Sequence, residues 1–250
     1  MSRSQRLGIK YLVAAIGFFG VMTLTGLLTA IYYVNPDFLF GLLHFNIAKI
    51  LHIDTLIIWL LMGFMGAIYW FLPEEFGRDP VGIWAAELLF WVFVAAVLAV
   101  AAVFVFVQWG PATESTLWLV QQGRKYVEAP RWAAVGIALV LLVFAWNVVG
   151  TTIKAKRITG IMAVLSVNMV PLVLLYFIAF PAIPDMATDL YWWWWLVHLW
   201  VEATWEILIG CIMALAVMQL LGTSRRIVEG WLYIEVMLVL GTGDRVVGGY

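Results

Sequence analysis

The sequence predicts an all-α protein, a polytopic bundle of helices that crosses a lipid bilayer. Three observations predict it. Of the 250 residues, 65% are hydrophobic and only 12% charged, about half the charged share of an ordinary soluble domain. Mean hydropathy is +1.00. The apolar residues also gather into runs long enough to span a bilayer, which takes about 20 helical residues, and the charges collect between those runs.

The runs follow in order. The first, 11–33, comes after a polar, basic start (Arg3, Arg6, Lys10). No small-residue cleavage site follows it, so it reads as a retained helix and not a signal peptide. The second, 50–72, lies between "NPD" (35–37) and "PEEFGRDP" (73–80). The third, 84–108, gives way to an amphipathic stretch from Trp109 to Arg131. A fourth, 132–152, ends at "KAKR" (154–157), a fifth, 159–180, at "PAIPD" (181–185), and a sixth, 191–220, at "GTSRR" (222–226). A seventh begins near Ile227 and is followed to 241. Proline, glycine and charge mark each break. With no internal repeat, residues 1–250 read as a single transmembrane domain. The lone cysteine, Cys211, excludes an internal disulfide and sits in an apolar run, where it packs.

Orientation follows from lysine and arginine. With the N-terminus in the cytoplasm, that side holds Arg3, Arg6, Lys10, Arg78, Lys154, Lys156, Arg157, Arg225 and Arg226. The other side holds Lys49, Arg124, Lys125 and Arg131. The excess predicts N-terminus inside. "YWWWW" (191–195) then forms an aromatic belt at the outer interface. His198 lies one to two turns below it, and His52 lies at comparable depth in the second helix.

The chemistry concentrates in "HLWVEATWE", residues 198–206. His198, Glu202 and Glu206 are spaced four and four, on one helical face. An ionisable group at membrane depth costs about 2.5–3.5 kcal/mol on the lenient insertion scale. Three on one stripe predict a face turned into protein and compensated there. A proton relay, a metal site and a satisfied polar network between helices all fit this spacing. Mixed imidazole and carboxylate donors suit iron better than copper(I).

Other residues read two ways. His52 is either a hydrogen-bonded helix-end histidine or an axial haem ligand. Gly63 and Gly66 let another helix, or a flat macrocycle, come close. His44 reads as interfacial. Glu128, with Arg124, Lys125 and Arg131, reads as a solvated outer cluster or as a seat for haem propionates or a cation. "PEE" (73–75) reads as the end of the second helix, and Glu87 and Glu235 are assigned no role.

"VHLWVEATWEILIGCIMA" and "NIAKILHIDTLIIWLLMGFMGAIYWFLPEE" closely resemble the large, haem-bearing subunit of the cytochrome c-dependent nitric oxide reductases, within the haem–copper oxidase superfamily. The resemblance runs from about Arg6 to Tyr233. Oxidases of the superfamily carry a His-Pro-Glu type motif where this chain has Leu199 after His198, followed by Glu202 and Glu206. The short link between the first two spans is similar to the cytochrome c-dependent branch, because the quinol-dependent branch has a large insertion there.

The resemblance implies the first six helices, and the start of a seventh, of a twelve-helix haem–copper oxidase-like fold. It implies low-spin and high-spin haem b, non-haem iron and calcium. His52 would ligate the low-spin haem. His198 would ligate the iron, with Glu202 on or beside it, and Glu206 would support the site or its proton supply. Gly63, by its carbonyl, and Glu128 would contact calcium. The implied reaction reduces two NO to N2O and water with electrons from a membrane-anchored cytochrome c subunit, in a bacterial inner membrane. No nucleic-acid partner is expected.

One stretch departs. The family pattern has a His-His pair after "GTG", and here the text is "GTGDRVVGGY" (241–250), with Asp244 and Arg245 where the pair would begin. Only three histidines are present, so this chain alone is not expected to complete the dinuclear site. The expectation is an interrupted gene or an incomplete chain. The alternatives are a non-catalytic, haem-binding membrane fragment and a proton-coupled transporter. An oxygen-reducing enzyme would need copper ligands and a His-Tyr device that the sequence does not supply.

Overall fold

The computed structural model describes residues 1–39, 41–107, 124, 128–181 and 183–243. Sequence expectations placed on Trp109, Lys125, Asp244 and Arg245 lie outside these residues. The described elements are α1 (Arg3–Val34), α2 (Phe45–Phe76), α3 (Ile83–Val107), α4 (Arg131–Ile153), α5 (Gly160–Ile178), α6 (Met186–Leu221) and α7 (Arg225–Gly243). Six of them, α1 to α6, are long and apolar enough to cross a membrane. The chain is a multi-pass, all-helical membrane protein. Helix α7 carries Arg225, Arg226, Glu229 and Glu235 and is not among the six.

Helices α1, α2 and α6 extend beyond the expected runs, and two of these ends have local reasons. Helix α1 starts at Arg3, well before 11, because Ser2 and Gln5 cap each other. The Ser2 N–H donates to Gln5 Oε1 (2.9 Å) and the Gln5 N–H to Ser2 Oγ (3.2 Å), a capping box. Helix α2 runs through Pro73 to Phe76, so "PEE" does not end it at 73. Proline removes the N–H that would bond the carbonyl four residues back. Here that carbonyl, of Tyr69, accepts from the buried Ser4 Oγ at 2.6 Å.

Contacts divide the chain into two compact units. The first comprises Met1–Arg6, Ala67–Ala86 and Leu141–Tyr250. Its core holds Tyr69 edge-on to Phe144, ring centroids 5.7 Å apart, with Met162, Leu165, Met169 and Leu172 buried beyond. Buried Asn147 accepts from Tyr69 Oη (2.7 Å) and donates to the Val81 carbonyl (2.6 Å). The "PEE" glutamate Glu75 has a structural role there. It receives two bonds from Arg225 (2.7 and 2.9 Å) and one from Thr159 Oγ1 (2.5 Å). Glu229, one turn along α7, accepts from Arg225 (3.4 Å) and from the Gly160 N–H (2.9 Å). Helices α2, α5 and α7 are tied together by that network.

The second unit comprises Leu7–Gly66 and Glu87–Val140. Helices α1 and α2 meet closely at Gly66. A Cβ there would lie 3.0 Å from the Gly8 carbonyl oxygen and from the Leu12 nitrogen. Gly63 faces open space, so only one member of the glycine pair serves packing. Tyr11 and Phe90 pack edge to face at 4.9 Å. Ile47, Ile50, Val100, Phe104 and Ala133 form a buried cluster joining α2, α3 and α4.

Candidate functional site

In the first unit, α6 begins at Asp185. Its carboxylate accepts from the Thr188 hydroxyl (2.6 Å) and the Thr188 N–H (2.8 Å), which hold it below the usual carboxylate range. The α-helix runs to His198, changes to a π-helix over Leu199–Trp205, and resumes at Glu206. Such π segments are rare and often mark functional sites. Neighbouring α5 receives this one through two bonds. Trp200 Nε1 donates to the Leu172 carbonyl (2.8 Å) and Asn168 Nδ2 to the Thr204 carbonyl (2.8 Å). Buried Thr204 turns its hydroxyl back to the Trp200 carbonyl (2.5 Å).

The π segment sets His198 beside Glu202, with Nδ1 and Oε1 2.9 Å apart. The ring stacks on Trp194, centroids 5.2 Å apart and 14° from parallel. Nδ1 engaged by a carboxylate leaves Nε2 as the nitrogen with a lone pair, the usual preparation of a metal-binding imidazole. His198 is 15% exposed and Glu202 59%, and Glu206 is exposed as well. The expected enclosed stripe is therefore only half realised. The described residues shield the histidine and leave the two carboxylates uncovered. Among the described residues, no three histidine, cysteine or acidic side chains converge as a metal site would need.

The sequence reading left Glu235 without a role. From α7 its carboxylate rests on α6 at Gly210, where a Cβ would sit 2.2 Å from Oε2. Its charge and that of Glu206 on α6 repel each other. No signal in the sequence pairs Gly210 with Glu235, which lie on different helices.

The other candidates lie in the second unit. His52 donates from Nδ1 to the Met22 carbonyl on α1 (2.8 Å), because a carbonyl can only accept. Nε2 is again the lone-pair nitrogen. Gly26 makes this possible, since a Cβ there would fall 2.7 Å from the ring. An imidazole fixed in that tautomer fits an axial haem ligand. The His44 backbone carbonyl accepts the Ala48 N–H (3.1 Å) at the start of α2.

Glu128 is half-buried next to α2, its N–H donating to Asp54 Oδ1 (3.2 Å). Gly63 lies nine residues beyond Asp54 on α2, roughly 13 Å at the helical rise. Arg124 is half-buried.

Comparison with known proteins places the chain among relatives. A subunit of the nitric oxide reductase of Stutzerimonas stutzeri is 36% identical over 243 residues, covering 96% of this chain. The chain spans about half, 51%, of that relative's length. The family described as cytochrome C and quinol oxidase polypeptide I matches residues 6–249. On that match, across nearly the whole chain, the protein belongs to the cytochrome c and quinol oxidase polypeptide I family.

Proposed function

We propose that this chain supplies the His52 haem site and the His198–Glu202 side of a non-haem iron site in a nitric oxide reductase. The reaction joins two NO with two electrons and two protons into N2O and water, the electrons coming from a membrane-anchored cytochrome c subunit. The observation that carries the reading is the His198–Glu202 contact where the α-helix gives way to the π segment, in a chain similar to a nitric oxide reductase subunit. Haem and iron, when bound, supply the place where NO binds and receives electrons.

The residues have separable tasks. Glu202 orients His198 through Nδ1 and so leaves Nε2 as the nitrogen that would take the metal. Glu206, one turn on, holds or passes a proton along the same face, and Glu235 extends that acidic line to α7. His52 keeps one tautomer through Met22. Glu128 places a carboxylate near α2 for a cation or a haem propionate. Gly63 offers its backbone carbonyl to the same cation. The orientation proposed is N-terminus cytoplasmic.

The exposed carboxylates, with no third donor converging among the described residues, favour a second reading, a haem-binding membrane fragment without turnover. One experiment separates them. The protein in its native membrane is given reduced cytochrome c and NO without oxygen, and gas is analysed. One N2O for every two NO consumed supports the reductase. A haem spectrum with no NO consumption supports the fragment. In a parallel run with oxygen supplied, oxygen consumption by a protein that does not consume NO overturns the reductase.

A further inference from the structure

An open groove of about 490 Å³ runs along α4 beside the turn between α2 and α3, within the first unit. Val81 lines it from that turn, and Trp146, Val149, Gly150 and Ile153 line it from α4. Lys154, the residue after α4, completes the lining. Hydrogen bonds fix the two sides against each other. The Val81 N–H donates to Thr151 Oγ1 (2.9 Å), and the Val81 carbonyl accepts from Asn147 Nδ2 (2.6 Å). Two glycines make the room. Gly82 sits at φ +72°, and a Cβ there would come within 2.3 Å of the Trp146 ring. At Gly150 a Cβ would stand 3.4 Å from the same ring and 3.7 Å from Val81, so a larger side chain there would project into the groove.

The groove faces outward, with Trp146 45% and Ile153 75% exposed. Helix α4 is one of the apolar spans, so lipid lies against this face. An acyl chain gains little by exchanging lipid for an apolar wall, since lipid tails are as apolar as leucine. Such a groove selects by fit and by the charge at its end. That end is basic. Lys154, Lys156 and Arg157 are all exposed, and among the described residues no carboxylate pairs with the Lys154 ammonium. Asp79, the acid nearest to Val81 in the sequence, accepts instead from the Arg3 and Ser4 N–H groups (3.4 and 3.1 Å).

We propose that this groove binds one molecule of an anionic membrane phospholipid, its acyl chain along Trp146, Val149 and Ile153 and its phosphate on Lys154. Lys156 and Arg157 strengthen the attraction without touching the phosphate, because charges at a membrane surface act over roughly a Debye length. A zwitterionic lipid brings the same tail with no net charge on its headgroup, so the groove should prefer the anionic one. This holds whichever reaction the protein carries out.

The test reconstitutes the whole protein in phosphatidylcholine vesicles that contain a minor share of a lipid with a photoreactive acyl chain. The probe's headgroup is phosphatidylglycerol in one arm and phosphatidylcholine in the other. After illumination, cross-linked peptides are identified by mass spectrometry. The phosphatidylglycerol probe should label residues 146–153 at least about fivefold more than its counterpart, and Lys154→Gln should lower that preference about fivefold, the share of one charge near the surface. Gly150→Leu should cut labelling of the segment by both probes. Should that variant not fold, Ile153→Glu, at an exposed position, sets a like charge beside the phosphate and should abolish the preference. Lys49→Gln, which removes an exposed lysine of the second unit, should leave it intact. Equal labelling by both probes in the unaltered protein, a preference that survives Lys154→Gln, or one lost equally in Lys49→Gln would each overturn the proposal.

Discussion

The imidazole Nδ1 of His52 donates to the Met22 carbonyl, 2.8 Å away on α1, and Gly26 is the residue that leaves room for the ring. A backbone acceptor cannot be removed by changing the Met22 side chain, so the test acts on the ring and on its room. His52→Ala should abolish the low-spin haem b spectrum while the helices stay inserted. Gly26→Leu, pressing on the imidazole, should weaken or lose the same bands. Gly17→Leu, on an exposed face with open space, should keep them. Normal spectra in His52→Ala would remove the ligand assignment.

The two glycines of α2 should respond oppositely. At Gly66 an added methyl meets backbone atoms of Gly8 and Leu12 at 3.0 Å, and backbone yields poorly. Gly66→Ala should cost about 1–3 kcal/mol, as overpacking does. Gly63→Ala enters open space and should be neutral or slightly stabilising through helix propensity. Thermal unfolding in detergent reads both, and equal effects would contradict the packing described.

These glycines show what the sequence could and could not reveal. Long apolar runs made α1 to α6 legible, because hydropathy alone decides what lies in lipid. The passage of α2 through Pro73 was not legible, since it depends on Ser4, far away in sequence, replacing a lost bond. Nor was the π segment, because the same spacing of His198, Glu202 and Glu206 suits an unbroken α-helix. Gly26 passed unnoticed as one small residue in an apolar run, and its use appears only beside His52.

Breaking the ion pair at Glu75 should be asymmetric. Glu75 is 5% exposed and Arg225 39%. Arg225→Ala strands a buried carboxylate held by Thr159 alone, and should cost about 2–3 kcal/mol after allowance for the exposed arginine. Glu75→Ala leaves an arginine that still reaches Glu229, and should cost about half as much. Thermal unfolding of the two variants checks the order, and a larger loss for Glu75→Ala would contradict it.

Orientation is testable with cysteine. Cys211 is buried, so new cysteines report cleanly. Arg226→Cys should label from the cytoplasmic side and Met186→Cys, 76% exposed, from the other. Labelling of both from one side would reject the proposed topology.

The central claim is that Glu202 serves the metal through His198 and Glu206 serves protons. Its most direct test sets iron content beside NO consumption in the assembled protein. Glu202→Ala should lose both iron and turnover, since His198 then lacks the Nδ1 partner that orients it. Glu206→Ala should keep most of its iron while turnover falls. Loss of one such interaction, about 3–4 kcal/mol, corresponds to roughly a hundred- to a thousand-fold in rate. Near-normal turnover in either variant, or iron lost from Glu206→Ala and kept by Glu202→Ala, would contradict the account.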